Sequence, residues 1–430
     1  MEFSENTANL MEIFMNDFES KYFHLKTPSE RAIFDRIIKK MYADISTAEV
    51  GYNDLIKRKH ITMKKKILSE NFKLPATNLL SSSYVPGEIY KSINKDAIAM
   101  IEYNVKLGDN KLNIYFLLFK ESDLLDIHKY DKRIKFIIMW FYVAFAYAKK
   151  SYGKKINLFL YLTTKQKILP KNKLTILGAE NCNTAVTTAC ETNGDILIFR
   201  EEEWFKVLIH ETFHLLCLDF ANMPNYILSE FNKKIREIIP VKSEYNLYEA
   251  YSEFWATMWN CAFCSYNIID TNNFTNFASY MDYCVQIETI FAIFQMNKVL
   301  RFMGLSYSQL YIKDETANTI ARRYLYREKT NVLAYYIVKT MLMFNHVDFL
   351  NWCDRNNGLS IIQFRNTRLN LMEFARFIEQ KYKNHNFLAM VSDINKIFGN
   401  ITIKKVALLK TMRMTAVSYT HLTLPTTPYV

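Results

Sequence analysis

The sequence predicts an α+β protein: a small twisted sheet with accompanying helices, a mainly helical C-terminal domain behind it and a helical N-terminal region in front. Three observations carry this. Short runs of β-forming residues at 97–105, 111–119, 156–162 and 195–199 are divided by turn signals or by helical stretches. After residue 270 the apolar spacing is helical almost throughout, as in 283–303, 332–344 and 369–382. Between them, residues 207–216 read Val-Leu-Ile-His-Glu-Thr-Phe-His-Leu-Leu, an apolar helical run that holds two histidines and a glutamate.

In chain order, residues 1–75 read as helical and charged, with basic clusters at Lys57-Arg58-Lys59 and Lys64-Lys65-Lys66. Residues 76–89 contain Ser81-Ser82-Ser83 and Pro86 and read as a linker. A sheet-bearing domain is expected over 90–268. It opens with a hairpin, whose strands flank Leu107-Gly108-Asp109-Asn110. The apolar block 136–148, closed on both sides by lysines, is too short to cross a hydrocarbon core of ~30 Å and reads as a buried helix. A strand follows at 156–162. Asn183-Thr184-Ala185-Val186-Thr187-Thr188 is short, β-branched and polar at alternate positions, as an edge strand is. The strand at 195–199 then runs into Glu201-Glu202-Glu203, three acids suited to the positive end of the next helix. Residues 269–412 are expected to form the helical C-terminal domain. Residues 413–430, above all 418–430, read as a non-native tail, so His421 is not counted as a ligand.

The run 207–216 carries the chemistry. On an α-helix, positions i and i+4 share a face, so His210 and His214 can present two imidazole nitrogens to one metal ion. Glu211 lies about 100° further round the axis, where its carboxylate reaches a water beside the metal rather than the metal itself. Zinc lowers the pKa of such a water to roughly 7, and a neighbouring carboxylate can take its proton. The burial implied by Val207, Leu208, Ile209, Phe213, Leu215 and Leu216 strengthens the reading, because buried polar groups need partners. Catalytic zinc usually takes three protein ligands. A third histidine six residues after His214 is absent, since Phe220 stands there. Downstream, Tyr248-Glu249-Ala250-Tyr251-Ser252-Glu253-Phe254-Trp255-Ala256 carries two glutamates at i and i+4. One can bind zinc while the other holds a histidine.

These two motifs together resemble the gluzincin metallopeptidases, typified by thermolysin and anthrax lethal factor, in which His-Glu-x-x-His is followed by a helix with Glu-x-x-x-Asp/Glu. The resemblance covers two short helices. It implies a zincin-like catalytic domain, one zinc ion, Glu249 as third ligand, Glu253 as the partner of a zinc-bound histidine, and Glu211 as general base. It also implies a protein or peptide substrate laid along the edge strand at Asn183 and Ala185. A hydroxyl or imidazole donor for the oxyanion is expected too, with Tyr245 and Tyr248 as the nearest candidates and His346 a distant one. The lead into the motif, Phe199-Arg200-Glu201-Glu202-Glu203-Trp204-Phe205-Lys206, is similar to uncharacterised metallopeptidases of giant DNA viruses.

Composition bounds the rest. With 430 residues, 50% hydrophobic and 15% aromatic, the chain can bury a large core and divide into two or three domains. The start, Met1-Glu2-Phe3-Ser4-Glu5-Asn6, lacks a basic n-region and an apolar h-region, and seven cysteines show no framework spacing. A cytoplasmic or otherwise intracellular setting, in a host cell or virion, is expected. Cys261-Ala262-Phe263-Cys264 is the only C-x-x-C and reads as buried apolar cysteines. The net charge of +12 is spread along the chain without a finger, RRM or phosphate loop, so nucleic acid is not the expected partner. The alternative function is a basic nucleic-acid- or virion-associated binding protein with a structural or vestigial zinc site. Retention of Glu211 argues against it, because a structural zinc has no use for an acid beside its water.

Overall fold

Six strands build one sheet: β1 (Ile61–Ile67), β2 (Ala99–Leu107), β3 (Asn110–Leu118), β4 (Lys155–Thr163), β5 (Ala185–Thr187) and β6 (Asn193–Arg200), in spatial order β1-β2-β3-β4-β6-β5. The computed structural model describes residues 26–68, 74–75, 77–125, 128–268, 273–313, 315–358, 360–398 and 406–416. Their contacts separate a sheet unit, Lys39–Lys167 with Asn183–Asp219, from a helical unit that takes the chain up to Ile38, Ile168–Cys182 and the chain from Phe220 onward. Sheet and helices together make the protein α+β, as its sequence predicts.

In the sheet unit, β2 and β3 form the expected hairpin, with Leu107 opposite Asn110 and Gly108 at φ 58° in the turn. That backbone region is open to glycine at little steric cost. β3, β4 and β6 are mutually parallel. Parallel neighbours need a long crossover, and α3 (His128–Tyr147) supplies the one from β3 to β4. This helix contains the apolar block 136–148 but for its last residue, and among the described residues no helix is long and apolar enough to cross a membrane. β4 is buried on both faces, as a central parallel strand should be. Phe159 and Tyr161 pack with Leu197, Phe199, Met100 and Leu117 under α2 (Gly87–Asp96), whose Ile89 and Ile93 point into that core. Ile156, Leu158 and Leu160 alternate to the opposite face and are equally buried. Each such side chain contributes about 1.5–3 kcal/mol on leaving water.

Two expectations for the N-terminal part need correcting or extending. Residues up to 75 were expected to be helical; α1 (Pro28–Lys57) is, but Ile61–Ile67 forms β1, antiparallel to β2. Pairing with a neighbour overrides local propensity here. β1 is an edge strand, exposed along nearly its whole length, and Lys64, Lys65 and Lys66 are the kind of residues that discourage further strand addition there. The stretch 76–89, expected as a linker, supplies Leu80, Val85 and Ile89 to the core under the sheet.

The helix that bears the histidines, α4 (Trp204–Leu215), starts after three acids that do not cap it with their side chains. Glu201 pairs with Arg133 of α3 at 2.7 Å, Glu202 accepts the backbone N–H of Lys167, and Glu203 pairs with the Lys167 ammonium. Glu203 sits at φ 61° with its carboxylate fully buried. The acids therefore fasten the start of α4 to α3 and to the segment leaving β4. Along α4, Phe205 meets Phe136 edge-on at 5.5 Å and Phe213 stacks on Trp140, whose indole N–H donates to Thr212 Oγ1 at 3.1 Å.

The helical unit is built on α6 (Tyr248–Ile268) and α7 (Phe274–Met303), preceded by α5 (Asn225–Ile238). α6 belongs with these helices by its packing, although the sequence reading grouped it with the sheet. Asn273 caps α7 by accepting from the N–H groups of Thr275 and Asn276, and Gly304 at φ 77° ends it. α8 (Thr316–Leu325), a π-helical turn at Leu333–Val338, α9 (Lys339–Phe344), α10 (His346–Asn356), α11 (Arg368–Lys381) and α12 (His385–Ile397) complete the bundle. The helical run expected over 283–303 falls within α7, and those over 332–344 and 369–382 match the π-helical turn with α9, and α11, to within one residue. Residues 411–416, part of which the sequence reading assigned to the tail, are buried in this unit. Lys298 and Gln295 of α7 and Lys339 of α9 donate to carbonyls of Thr411, Arg413 and Met414. The remaining tail, 417–430, lies outside the described residues.

The Lys167–Glu203 pair yields a test of what positions α4. Removing one partner of a buried ion pair strips a charge-assisted contact from the other, so Lys167→Ala is expected to cost about 3–5 kcal/mol, measured by denaturant unfolding. Lys167→Met combined with Glu203→Leu should recover most of that loss. A single variant as stable as the parent would show that the pair does not hold the helix.

Candidate metal centre

Every residue of α4 is buried, which makes its polar side chains the chemical core of the sheet unit. His210, Glu211 and His214 are 4%, 8% and 8% exposed. The two imidazoles stand 82° apart in plane with ring centroids at 4.7 Å, and their Nε2 atoms face each other at 3.0 Å. His214 Nδ1 is hydrogen-bonded to Asp219, whose carboxylate is fully buried. A carboxylate only accepts, so Nδ1 carries a proton and donates to Asp219, which leaves Nε2 turned toward His210. Two nitrogens bound to one tetrahedral zinc at ~2.0–2.1 Å stand about 3.3 Å apart. The observed separation fits a shared cation.

The third side chain comes from the first turn of α6. Glu249 is 9% exposed. Asn331 Nδ2 donates to its Oε1 at 3.1 Å, and Tyr335 OH donates to its Oε2 at 3.2 Å. Asn331 is itself held by Asn246 at 3.1 Å. Tyr335 lies in the π-helical turn, a form of backbone that recurs at functional sites. His210, His214 and Glu249 form a buried group whose candidate ligand atoms all lie within 4.8 Å of one another, the one such group found among the described residues. Two imidazoles and a carboxylate are a donor set that suits a divalent transition metal.

The other expected site residues are placed as follows. Glu211 is buried on α4 next to His210, and Glu253 is 3% exposed one turn beyond Glu249. Ala185 begins β5, opposite Ile198, and β5 is the last strand of the sheet, with one edge unpaired within it. Asn183 lies just before β5; its carbonyl accepts from Arg200 Nε at 2.9 Å. Tyr245 is not brought to the group. It is 1% exposed, at φ 58°, and its hydroxyl donates to the backbone carbonyls of Ile239 and Val241. Burial pushes its pKa up. The ring of Tyr248 stands edge-on to Phe220 at 6.1 Å. His346, at the start of α10, is bound through Nδ1 to the Met343 carbonyl at 3.0 Å and lines a different cavity of about 420 Å³ with Lys26, Asn345 and Met390. Cys261 and Cys264 are buried, as expected, and burial drives both thiol pKa values up.

Three participants were not found by reading the sequence. Asp219 follows His214 by five residues in an apolar run, and that isolated acid was a usable signal. Tyr335 and Asn331 lie 86 and 82 residues from Glu249, beyond any local pattern. Cys190 and Cys217 form a disulfide across 27 residues, which the spacing of seven cysteines did not reveal. Comparison of the chain with protein-family models, with curated proteins and with solved structures finds no match.

The segment that leads through Asn331 into the π-helical turn contains a titratable group. Glu328 is pushed up to about 7 by burial, opposed by hydrogen bonds from Ser243, the Leu333 N–H and Tyr326. A carboxyl held above its unfolded value of 4.5 favours the protonated fold. Stability is therefore expected to fall as pH rises from about 4.5 to about 7, by roughly 3 kcal/mol, and to level off above. Glu328→Gln should abolish that slope and be the more stable protein at pH 8, read from unfolding curves at each pH. Parallel stability–pH curves for the two proteins would refute this.

Proposed function

We propose that this chain is a zinc-dependent metallopeptidase of the gluzincin type, with a zincin-like catalytic fold, that hydrolyses peptide bonds in a protein or peptide substrate. The observation that carries the reading is the buried convergence of His210, His214 and Glu249 with Glu211 beside His210 on the same helix. His210 and His214 would hold the ion through Nε2 and Glu249 through its carboxylate. Asp219 would fix the ring of His214, and Glu253 is the candidate for the same task at His210. Bound there, zinc would polarise the scissile carbonyl and bring the pKa of a water to roughly 7.

The chain's own residues do the rest. Glu211 takes the proton of the attacking water and passes it to the leaving amine. As a buried carboxylate it faces few competing water molecules. The free edge of β5, at Ala185 and beside Asn183, is suited to an extended substrate segment added as a strand, which fixes the peptide by backbone hydrogen bonds. Tyr335 replaces Tyr245 as the hydroxyl donor. It already bonds Glu249 and is only half-buried, so a small shift lets its O–H reach a carbonyl oxygen that gains charge.

Metal content tests the ligands first. Alanine at His210 or at His214 is expected to abolish stoichiometric zinc by elemental analysis, and full retention of metal in both variants would sink the site. Glu211→Gln is expected to keep zinc and the fold while cleavage of a peptide library drops at least 10²- to 10⁴-fold, the range for losing a general base. Undiminished cleavage would remove Glu211 from the reaction.

Tyr335→Phe separates the donor from the ligands. It should retain zinc, with kcat lowered by about 10² to 10³ and KM little changed, as on losing one oxyanion donor. A parental kcat would return the role to Tyr248.

A further inference from the structure

Directly behind the second histidine, the chain carries the one disulfide found among the described residues. Cys217 follows α4 by two residues and lies between His214 and Asp219; Cys190 lies in the loop between β5 and β6. The backbone N–H groups of Cys190 and Cys217 both donate to the carbonyl of His214, at 2.9 and 3.1 Å. Both cysteines adopt the left-handed conformation, φ 55° and 56°, which side-chain-bearing residues hold only when their surroundings impose it. Three constraints thus converge on His214: two on its carbonyl, and Asp219 on its ring.

We propose that the Cys190–Cys217 bridge is a thiol–disulfide exchange site that sets the metal affinity of the centre. This rests on the metal-centre part of the proposed function but not on its hydrolytic part. While the bridge is closed, the loop before β6 is tied to the end of α4, and Asp219 is kept in register with His214. Opening it frees the residue between ligand and buttress to leave its left-handed conformation, and the Asp219 carboxylate loses its fixed place at Nδ1. Partners of this kind typically govern metal affinity by 10–100-fold.

The chemistry is available at the surface. Cys190 is partly exposed, with Ala189, Glu191 and Thr192 exposed around it, whereas Cys217 is buried. The thiolate of a dithiol reductant attacks Cys190 Sγ, the S–S bond breaks and Cys217 leaves as a thiolate that takes up a proton. The reductant's second thiol, losing its proton, then attacks its own sulfur in the mixed disulfide and releases Cys190 as a thiol. Two electrons and two protons have passed to the cysteines, and the dithiol has closed into its own disulfide.

The experiment measures metal affinity rather than cleavage. Metal-free full-length protein is divided, one half reduced with dithiothreitol and desalted under nitrogen, and thiols are counted to confirm a rise from five to seven. Both halves are titrated with Zn²⁺ against a chromophoric chelator. The oxidised protein is expected to bind about 10- to 100-fold more tightly. Cys190→Ser/Cys217→Ser should match the reduced value and not respond to dithiothreitol. Since binding is reciprocal, Zn²⁺ should also slow the appearance of thiols in the wild type. Equal affinity in the two redox states overturns the proposal, as does a redox response that survives in the double variant. If the double variant fails to fold, the reduced wild type, with its chain unaltered, decides alone. Absence of stoichiometric metal from the oxidised protein would overturn the metal-centre reading and this proposal with it.

Discussion

A helix buried on every side cannot carry two imidazoles and a carboxylate unless each is given a partner, and much of the sheet unit answers to that requirement. Leaving such groups unsatisfied costs several kcal/mol apiece, comparable to a large part of the stability of a domain. The answer for His214 is visible in full: Asp219 on one nitrogen, and the other facing His210 across 3.0 Å. An approach this close suits either an N–H of one ring donating to the other or a cation held between them. The buried Lys167–Glu203 pair at the head of the helix and the Cys190–Cys217 bridge at its foot hold α4 at both ends. A candidate ligand pair, which would have to stay within a few tenths of an ångström, needs such fixity.

What was legible in the sequence follows from what is local. The spacing of His210 and His214, and of Glu249 and Glu253, is fixed by helix geometry, and a helix can be read from a short window. The hairpin at Leu107–Asn110 and the long helices after residue 270 were legible for the same reason. β1 was not, because a lysine-rich strand with nearly every residue exposed has no apolar alternation to declare it; its partner β2 makes it a strand. Tyr335 and Asn331 were hidden by distance along the chain, and the disulfide by the freedom of seven cysteines to pair in many ways. Tyr245 was chosen for its nearness in sequence to Glu249, but its left-handed backbone sends the hydroxyl to carbonyls six and four residues before it.

The π-helical turn shows how a candidate ligand on one element is held by another. An extra residue in a helical turn offsets the side chains that follow, and here Tyr335 falls against Glu249 with Asn331. Two donors satisfy the oxygens of one carboxyl group in a site less than one-tenth exposed. The raised pKa of Glu328 is the counterpart of that arrangement: Leu333, the first residue of the turn, donates its N–H to a carboxyl whose burial favours the protonated form.

The segment 411–416 adds a constraint of another kind, on the order in which the protein can be made. Lys298 takes its carbonyl partners from Leu408 and Thr411, 110 and 113 residues further along, and Lys339 from Met414, 75 residues on. Until translation delivers that stretch of chain, the Lys298 ammonium lies in a half-formed apolar bundle without the two carbonyls that receive it. The helices can assemble early, but their interior cannot dry. A nascent chain is therefore left for seconds with a wet and sticky core at usual elongation rates, a state that invites chaperone binding or aggregation. The sheet unit, complete at Asp219, is free to close long before.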